Sequence, residues 1–433
     1  MKVTFITNAC AIYESNGYRL LSDPWLTDGA FEGSWYHYPP LQTSPQDLLD
    51  VNALYISHLH PDHYDPETLQ HFRRDIPIVI LDRAPNYLAR MLRGLGFTNL
   101  TLVPPQTDAT AGPFKIRLYA PFAKHPFDDA DMGNAVDSAM LISDNLHSVL
   151  NANDNTLTLE WAQSFKDLDL VQLNYNPAGP YPACFEGYRP GAMKLIAQAI
   201  VRRSLEHLQK LLAVMRPRYF QPFAGAFCIA GKMYEKNIYA GVITAEEAAD
   251  YVQSSLPDQL TAVLGEGDTI DLCDGQIAKS CTVRHQSILW AGTHKRHIRY
   301  PYEDDPTPSR TEILELLPVA RENLWRKQEE LGCFPNCWVY IDLGDRYFRM
   351  QMNTSTYAWV EASDDIVHAP ELPMLMAVMD DRLLRRILTG ESHWNNVEVG
   401  MHISFLRVPD VHQPDVHTLL SFFHVPREAA VTA

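Results

Sequence analysis

The sequence predicts an α+β fold in two parts, a layered first domain followed by a smaller C-terminal α+β domain. Three observations point there. Short apolar strand runs crowd the N-terminal stretch up to Ile56, strands then alternate with capped helices as far as Met215, and a proline-bearing polar stretch beginning at Tyr300 precedes a new mixture of helix and strand. At 433 residues the chain exceeds one ordinary core, so domains are expected at 1–295 and 338–433, with a linker and helix over 296–337.

Val3–Ile6, Ala9–Tyr13 and Arg19–Leu21 read as strands, separated by Asn8 and the turn pair Asn16-Gly17. Asp23-Pro24-Trp25-Leu26 ends that pattern and opens a long aromatic loop through Trp35, Tyr36 and Pro39-Pro40. Ala53–Ile56 is a buried-type strand that runs into a histidine cluster. Asp65 then suits an N-cap and Pro66 the first helical position. Further on, Ile78–Leu81, Leu100–Val103 and Lys115–Tyr119 read as strands, with a helix over Pro85–Leu95. Ala139–Ile142 and Ser148–Leu150 form a hairpin pattern, Leu168–Leu173 another strand, and Ala192–Met215 a long amphipathic helix. Thr244-Ala245-Glu246-Glu247 is a capping-box sequence. The first domain is expected to end near Thr293, Tyr300–Ser309 to be a polar linker, and Arg310 to Leu331 a helix. Beyond Trp338 come strands, the helical stretch Asp380–Leu388 and a strand led by Gly400.

Composition excludes several classes. A formal charge of −17 argues against a general nucleic-acid binder, because phosphate binding needs a basic surface. No apolar run approaches the ~20 residues that cross a bilayer. The seven cysteines are odd in number and scattered, and no signal peptide stands at the start, which favours a cytoplasmic location with free thiols. Cys333 and Cys337 are the one close pair, and no second pair is near enough to make a zinc site with them.

The chemistry lies in Ser57-His58-Leu59-His60-Pro61-Asp62-His63-Tyr64-Asp65. Alternate residues leaving a strand point the same way, so His58 and His60 can turn toward one metal while Asp62 and His63 face a second. Imidazole and carboxylate donors without a thiolate suit iron, zinc or manganese.

This segment resembles the metallo-β-lactamase superfamily, whose signature is His-x-His-x-Asp-His at the end of a strand. The stretches Asn8–Glu14 and Leu21–Leu26 resemble that family's first hairpin and Asp-Pro turn. The resemblance implies an αββα sandwich of two mixed sheets with two metals at one edge. It also implies a bridging aspartate after a later strand, matched by Asp154 in Val149-Leu150-Asn151-Ala152-Asn153-Asp154. For the remaining ligand of the first metal, Asp137 and His125 stay open alternatives, one as ligand and the other as its partner. Asp62 and Asp154 are expected to be catalytic as well as ligating.

Hydrolytic members place one more histidine in a late loop following a proline. Here the matching stretch, Tyr219-Phe220-Gln221-Pro222-Phe223-Ala224-Gly225-Ala226-Phe227, has none. With Asp23-Pro24-Trp25-Leu26, the Ala30-Phe31 and Trp35 spacing, and Val397–Met401, it resembles the CMP-N-acetylneuraminate hydroxylase branch. That branch carries a Rieske module, which needs Cys-x-His and Cys-x-x-His pairs that are missing here, so the resemblance implies an external electron donor. Diiron hydroxylases of secondary metabolism share the fold and a carboxylate-enriched site, which is compatible with Asp137 as a ligand. The last part of the chain is similar to a small lipid-carrier domain. Packing against the first domain, forming a homodimer and binding substrate all stay open for it.

The expectation is a dinuclear non-haem metal enzyme acting on a small molecule. The favoured reading is an iron-dependent monooxygenase, a hydroxylase using O2. The alternative is a zinc metallohydrolase of an ester, lactone, amide or phosphodiester, and a non-catalytic metal-binding module ranks last. Substrate contacts are expected from the loops Phe31–Pro40 and Tyr175–Tyr181. Arg189 and Lys194 would either meet an anionic group or solvate a helix start.

Overall fold

The computed structural model describes residues 1–123, 137–279, 287–362 and 373–426. Two large sheets form within residues 2–278. In spatial order the first contains Ile277–Ala278, Thr269–Asp271, Lys2–Thr7, Cys10–Ser15, Tyr18–Ser22, Ala53–Tyr55, Ile78–Leu81 and Leu100–Val103. The second runs Leu260–Thr261, Tyr219–Phe223, Leu170–Asn174, Ser148–Asn153, Ala139–Ser143, Phe114–Tyr119 and Asp108–Ala111.

Side-chain alternation decides how they stack, because successive residues of a strand face opposite sides. Leu20, Ala53, Tyr55, Val79 and Leu81 share a core with Ile116, Leu118, Met140, Ile142 and Val149 of the other sheet. Their neighbours Leu21, Leu54, Ile56, Ile78 and Ile80 pack outward on Leu69, Phe72, Leu88 and Leu92. On the far side, Leu150, Val171 and Phe220 pack on Leu205, Leu208, Leu212 and Val252 of the helices Pro190–Met215 and Ala245–Ser255. The layers are therefore helix, sheet, sheet, helix.

Caps fall where the sequence places them. Asp65 accepts from the Glu67 amide with Pro66 as the first helical residue, and Thr244 and Glu247 form the capping box. The long helix starts slightly earlier than its periodicity suggests, at Pro190. Trp35–His37 is a strand paired antiparallel with Phe227–Ile229. Its partner is far away in sequence, so no local pattern announces it.

A third sheet orders Tyr357–Glu361, Arg346–Gln351, Trp338–Asp342, Met374–Val378 and Ser404–Val408. The helix Arg310–Leu331 lies under it, burying Ile313, Leu317, Ala320 and Leu324. Two expectations need correcting. Tyr300 and Tyr302 are no polar linker: they are 0% and 1% exposed in that same core. Gly400 does not lead a strand but ends the short helix Trp394–Val399. There a Cβ would lie 2.6 Å from the Phe31 carbonyl oxygen, so glycine admits close approach of the two halves. Their cores merge: Trp25, Phe31, Trp35, Phe185 and Phe227 pack in one cluster with Trp394, Val397, Phe405 and Phe423.

Candidate metal centre

Parallel pairing of Tyr18–Ser22 with Ala53–Tyr55 sets Ser22 beside Tyr55, so both strands release their chains at the same edge. Asp23 follows one strand and Ser57 to His63 the other. The Ser57 amide and hydroxyl both donate to Asp23, at 2.7 and 2.8 Å. Asp154 comes off the end of Ser148–Asn153 in the second sheet, and Asp137 precedes Ala139–Ser143.

The donors gather in two sets. His58 Nε2 lies 2.7 Å from His60 Nδ1 and 3.3 Å from Asp137 Oδ1. His63 Nε2 lies 3.2 Å from Asp154 Oδ2 and 3.5 Å from Asp62 Oδ2. Within each of the trios His58–His60–Asp137 and His58–His63–Asp154, one ligand atom per residue lies within 4.8 Å of the others. Of the residues named from sequence, six converge here: His58, His60, Asp62, His63, Asp137 and Asp154. His125 lies outside the described residues.

Hydrogen bonding fixes which nitrogen of each ring is free. The Ser57 hydroxyl donates to Asp23, so it accepts from His58 Nδ1 at 2.9 Å. His63 Nδ1 donates to Asp23 Oδ2 at 2.9 Å, and His60 Nε2 to the Asn395 carbonyl oxygen at 2.8 Å. With one proton per ring, these bonds leave His58 Nε2, His60 Nδ1 and His63 Nε2 as the atoms a cation would take, and His63 would have to give up the second proton that its carboxylate neighbours favour. Asn8 Nδ2 donates to Asp62 Oδ2 at 2.9 Å and Asn174 Nδ2 to Asp154 Oδ1 at 2.8 Å.

Electrostatics point to cations. Burial, with the His63 and His60 charges, holds His58 well below its ordinary pKa, and burial likewise lowers His60, so both stay neutral. Burial opposes protonation of His63, but Asp62, Asp154 and Asp23 together outweigh it and push the ring up. Burial and then the Asp154 charge push Asp137 up to about 8. A group of carboxylates that keeps one member protonated at neutral pH is one that added positive charge relieves. Asp62 Oδ1, His63 Nε2 and Asp137 Oδ1 are moreover buried with no hydrogen-bond partner, as ligand atoms awaiting a cation would be. The donor set fits two metal ions. Asp137 and Asp154 keep 23% and 22% of their side chains exposed, so the centre opens on that side.

Asn8 and Asn174 tie the loop at residues 222–227 to the candidate ligands. Ala226 N donates to Asn8 Oδ1 at 3.2 Å, and Asn174 Nδ2 donates to Ala224 O at 2.7 Å. Asn8, Pro222, Phe223, Ala224 and Gly225 also line a cavity of about 480 Å³, with Tyr38, Pro39, Pro40 and Tyr175. Tyr38, Pro39, Pro40 and Tyr175 belong to the two loops expected to meet substrate, and none of the six candidate ligands lines this cavity. Phe31 departs from that expectation: it is buried in the shared core, its ring 5.7 Å from His60. Arg189 and Lys194 are exposed at the start of the long helix. Asp23, Asn8, Asn174 and Asn395 were not singled out as site residues by the sequence. An acid closing an apolar strand before proline is the one signal that could have raised Asp23. Nothing local marks Asn395.

Six described cysteines are free thiols, and Cys281 lies outside the described residues. Among the described residues no helix is long and apolar enough to cross a membrane.

Known proteins match this chain in part. Residues 2–135 match the model of the β-lactamase superfamily domain. A protein of Mycolicibacterium smegmatis designated a Rieske 2Fe-2S iron–sulfur protein is 29% identical over 236 residues, covering 53% of this chain and 44% of that one. The cytidine monophosphate-N-acetylneuraminic acid hydroxylases of Danio rerio and Mus musculus are 26% and 28% identical, each over 52% of this chain and 38% and 39% of their own length. The matched part therefore spans less than half of each relative. Among solved structures, CmlA, a diiron β-hydroxylase from Streptomyces venezuelae, aligns with TM-score 0.43 and 18% identity over 64% of this chain and 54% of its own. An isothiocyanate hydrolase from Delia radicum gut bacteria aligns with TM-score 0.43 and 18% identity over 63% and 98%. The helix–sheet–sheet–helix layering that the resemblance implied is present, and residues 2–135 within it match the β-lactamase superfamily domain model.

Proposed function

We propose that this chain is a dinuclear non-haem iron monooxygenase that hydroxylates a small organic molecule with O2 and electrons from a separate donor. The observation that carries the reading is the donor set: three imidazoles matched by three carboxylates, with a Phe223-Ala224-Gly225 loop where a further histidine would favour hydrolysis. Carboxylate-rich sites suit hard, redox-active iron. His58, His60 and Asp137 would hold one ion, His63 and Asp62 the other, and Asp154 would reach both. Iron held there would supply the redox chemistry toward O2, with the electrons coming from the separate donor.

The protein's own work is orientation. Asp23 and Ser57 fix the His63 and His58 rings, Asn8 and Asn174 aim Asp62 and Asp154, and the Asn8-walled cavity holds the substrate. Among the described residues Glu246, Glu266, Asp268 and Lys279 line that cavity, and Lys279 pairs with Asp268 at 2.8 Å. The likeness to a Rieske-designated protein supports an iron–sulfur protein as the donor.

The test is purification, metal analysis and oxygen uptake. Reconstituted with ferrous iron and reduced, the protein is expected to hold two irons per chain and consume O2. Two zincs per chain with esterase or phosphodiesterase turnover and no oxygen uptake would replace this reading with the metallohydrolase, in which the same ions lower the pKa of a bound water.

A further inference from the structure

Three imidazoles face the centre, and the sources of their outer partners differ. Ser57 and Asp23 orient His58 and His63 from the same sheet edge. The outer partner of His60 comes from the opposite end of the chain: Asn395, separated from it by 335 residues, on the short helix Trp394–Val399.

That helix is seated firmly. Trp394 is 1% exposed, Val397 is fully buried, and the Asn395 backbone N–H donates to His393 Nδ1 at 3.3 Å. Both its flanks hold the Phe31–Glu32 turn beside His60. On one side Ser392 donates to Glu32 at 2.6 Å, and on the other His402 Nε2 donates to the Phe31 carbonyl at 3.0 Å. The backbone position of Asn395 is thus set by contacts that do not depend on His60.

We propose that Asn395 is a positioning residue of the metal centre. By accepting the Nε2 proton of His60 it holds the tautomer whose bare Nδ1 faces His58 and Asp137, which makes the C-terminal part of the chain a structural component of the site. The inference rests on the reading of these residues as a metal centre. Its chemistry is simple. A carbonyl oxygen only accepts, so the nitrogen facing it must carry the proton and the other must be the ligand atom. Without that acceptor the ring is free to rotate and to take the opposite tautomer, which presents an N–H to the metal.

The experiment titrates apo-protein with Zn²⁺ against a chromophoric chelator and records the visible spectrum of the Co²⁺-loaded form, for wild type, Asn395→Leu and Asn395→Asp. Outer-partner loss ordinarily weakens metal binding 10–100-fold. Asn395→Leu is expected to lose that much affinity at one of two sites and to shift the Co²⁺ bands, while the apo melting temperature stays near wild type. Asn395→Asp, which can only accept, should restore both affinity and spectrum. Should Asn395→Leu fail to fold, Asn395→Ser, too short to reach His60, takes its place. Wild-type affinity and spectrum in the leucine or serine variant overturn the proposal, as does an equal loss in the aspartate variant. A wild-type protein that binds no Zn²⁺ or Co²⁺ overturns the metal-centre reading instead.

Discussion

Asn8, Asp23, Asn153 and Ala224 have φ of 40°, 37°, 38° and 52°, a left-handed region that costs a non-glycine residue about 1 kcal/mol. All four lie at the sheet edge that carries the ligands, and each adopts this backbone to aim a side chain or carbonyl at the centre or its loop. Such strain persists only where surrounding contacts over-determine it. At the same scale, His60→Ala should leave one metal per chain instead of two and abolish turnover. Full metal content on elemental analysis would show His60 to be no ligand. His402 offers a separate test. Tyr302 donates to its Nδ1 and its Nε2 donates to Phe31, so the neutral ring is fully satisfied, and burial holds its pKa down to about 3. An unfolded chain takes up that proton near the ordinary value of 6.5, so stability present above it is lost as pH falls toward 3. Comparing urea unfolding at pH 7 and pH 5, wild type should lose about 2 kcal/mol more than His402→Gln. Equal losses would place the acid sensitivity elsewhere.

Among the elements, strands and capped helices were legible because their signals are local. Asp65-Pro66 and Thr244–Glu247 carry their whole meaning within four residues, and the candidate ligands from His58 to His63 are likewise contiguous. What escaped depends on pairing across the chain. Asp23 acquires its role only when Ser22 aligns with Tyr55, and Trp35–His37 becomes a strand only when Phe227–Ile229 arrives. Asp154 was reachable through family resemblance, since an aspartate in an Asn-rich turn says little by itself. The helix Pro190–Met215 backs the sheet that presents Asp154 and Asn174, with Leu212 1% exposed in its interface. Leu212→Ala should cost about 2–5 kcal/mol in a urea titration while leaving metal affinity in the folded protein unchanged. A matching loss of affinity would mean that the helix tunes the site as well as supporting it.

Across the whole molecule, the two halves share one apolar core, which separate strand patterns could not reveal. Trp25, Phe31, Trp35 and Phe227 are covered by the half containing Trp394 and Phe405. A chain stopped before Tyr300 is therefore expected to accumulate in the insoluble fraction, because it would expose these aromatics together. Recovery of that fragment as a soluble protein binding two metals would show the first half to be autonomous. Phe31 and Glu32, adjacent and both left-handed at φ 51° and 60°, are held from beyond position 385 by Arg386, Ser392 and His402. On the ribosome this order has a temporal meaning. The imidazoles emerge long before the segment that clamps the turn beside them, so the aromatic wall at His60 closes only after residues beyond 385 have left the ribosome, and any cation bound at the proposed centre meets its final geometry only after that.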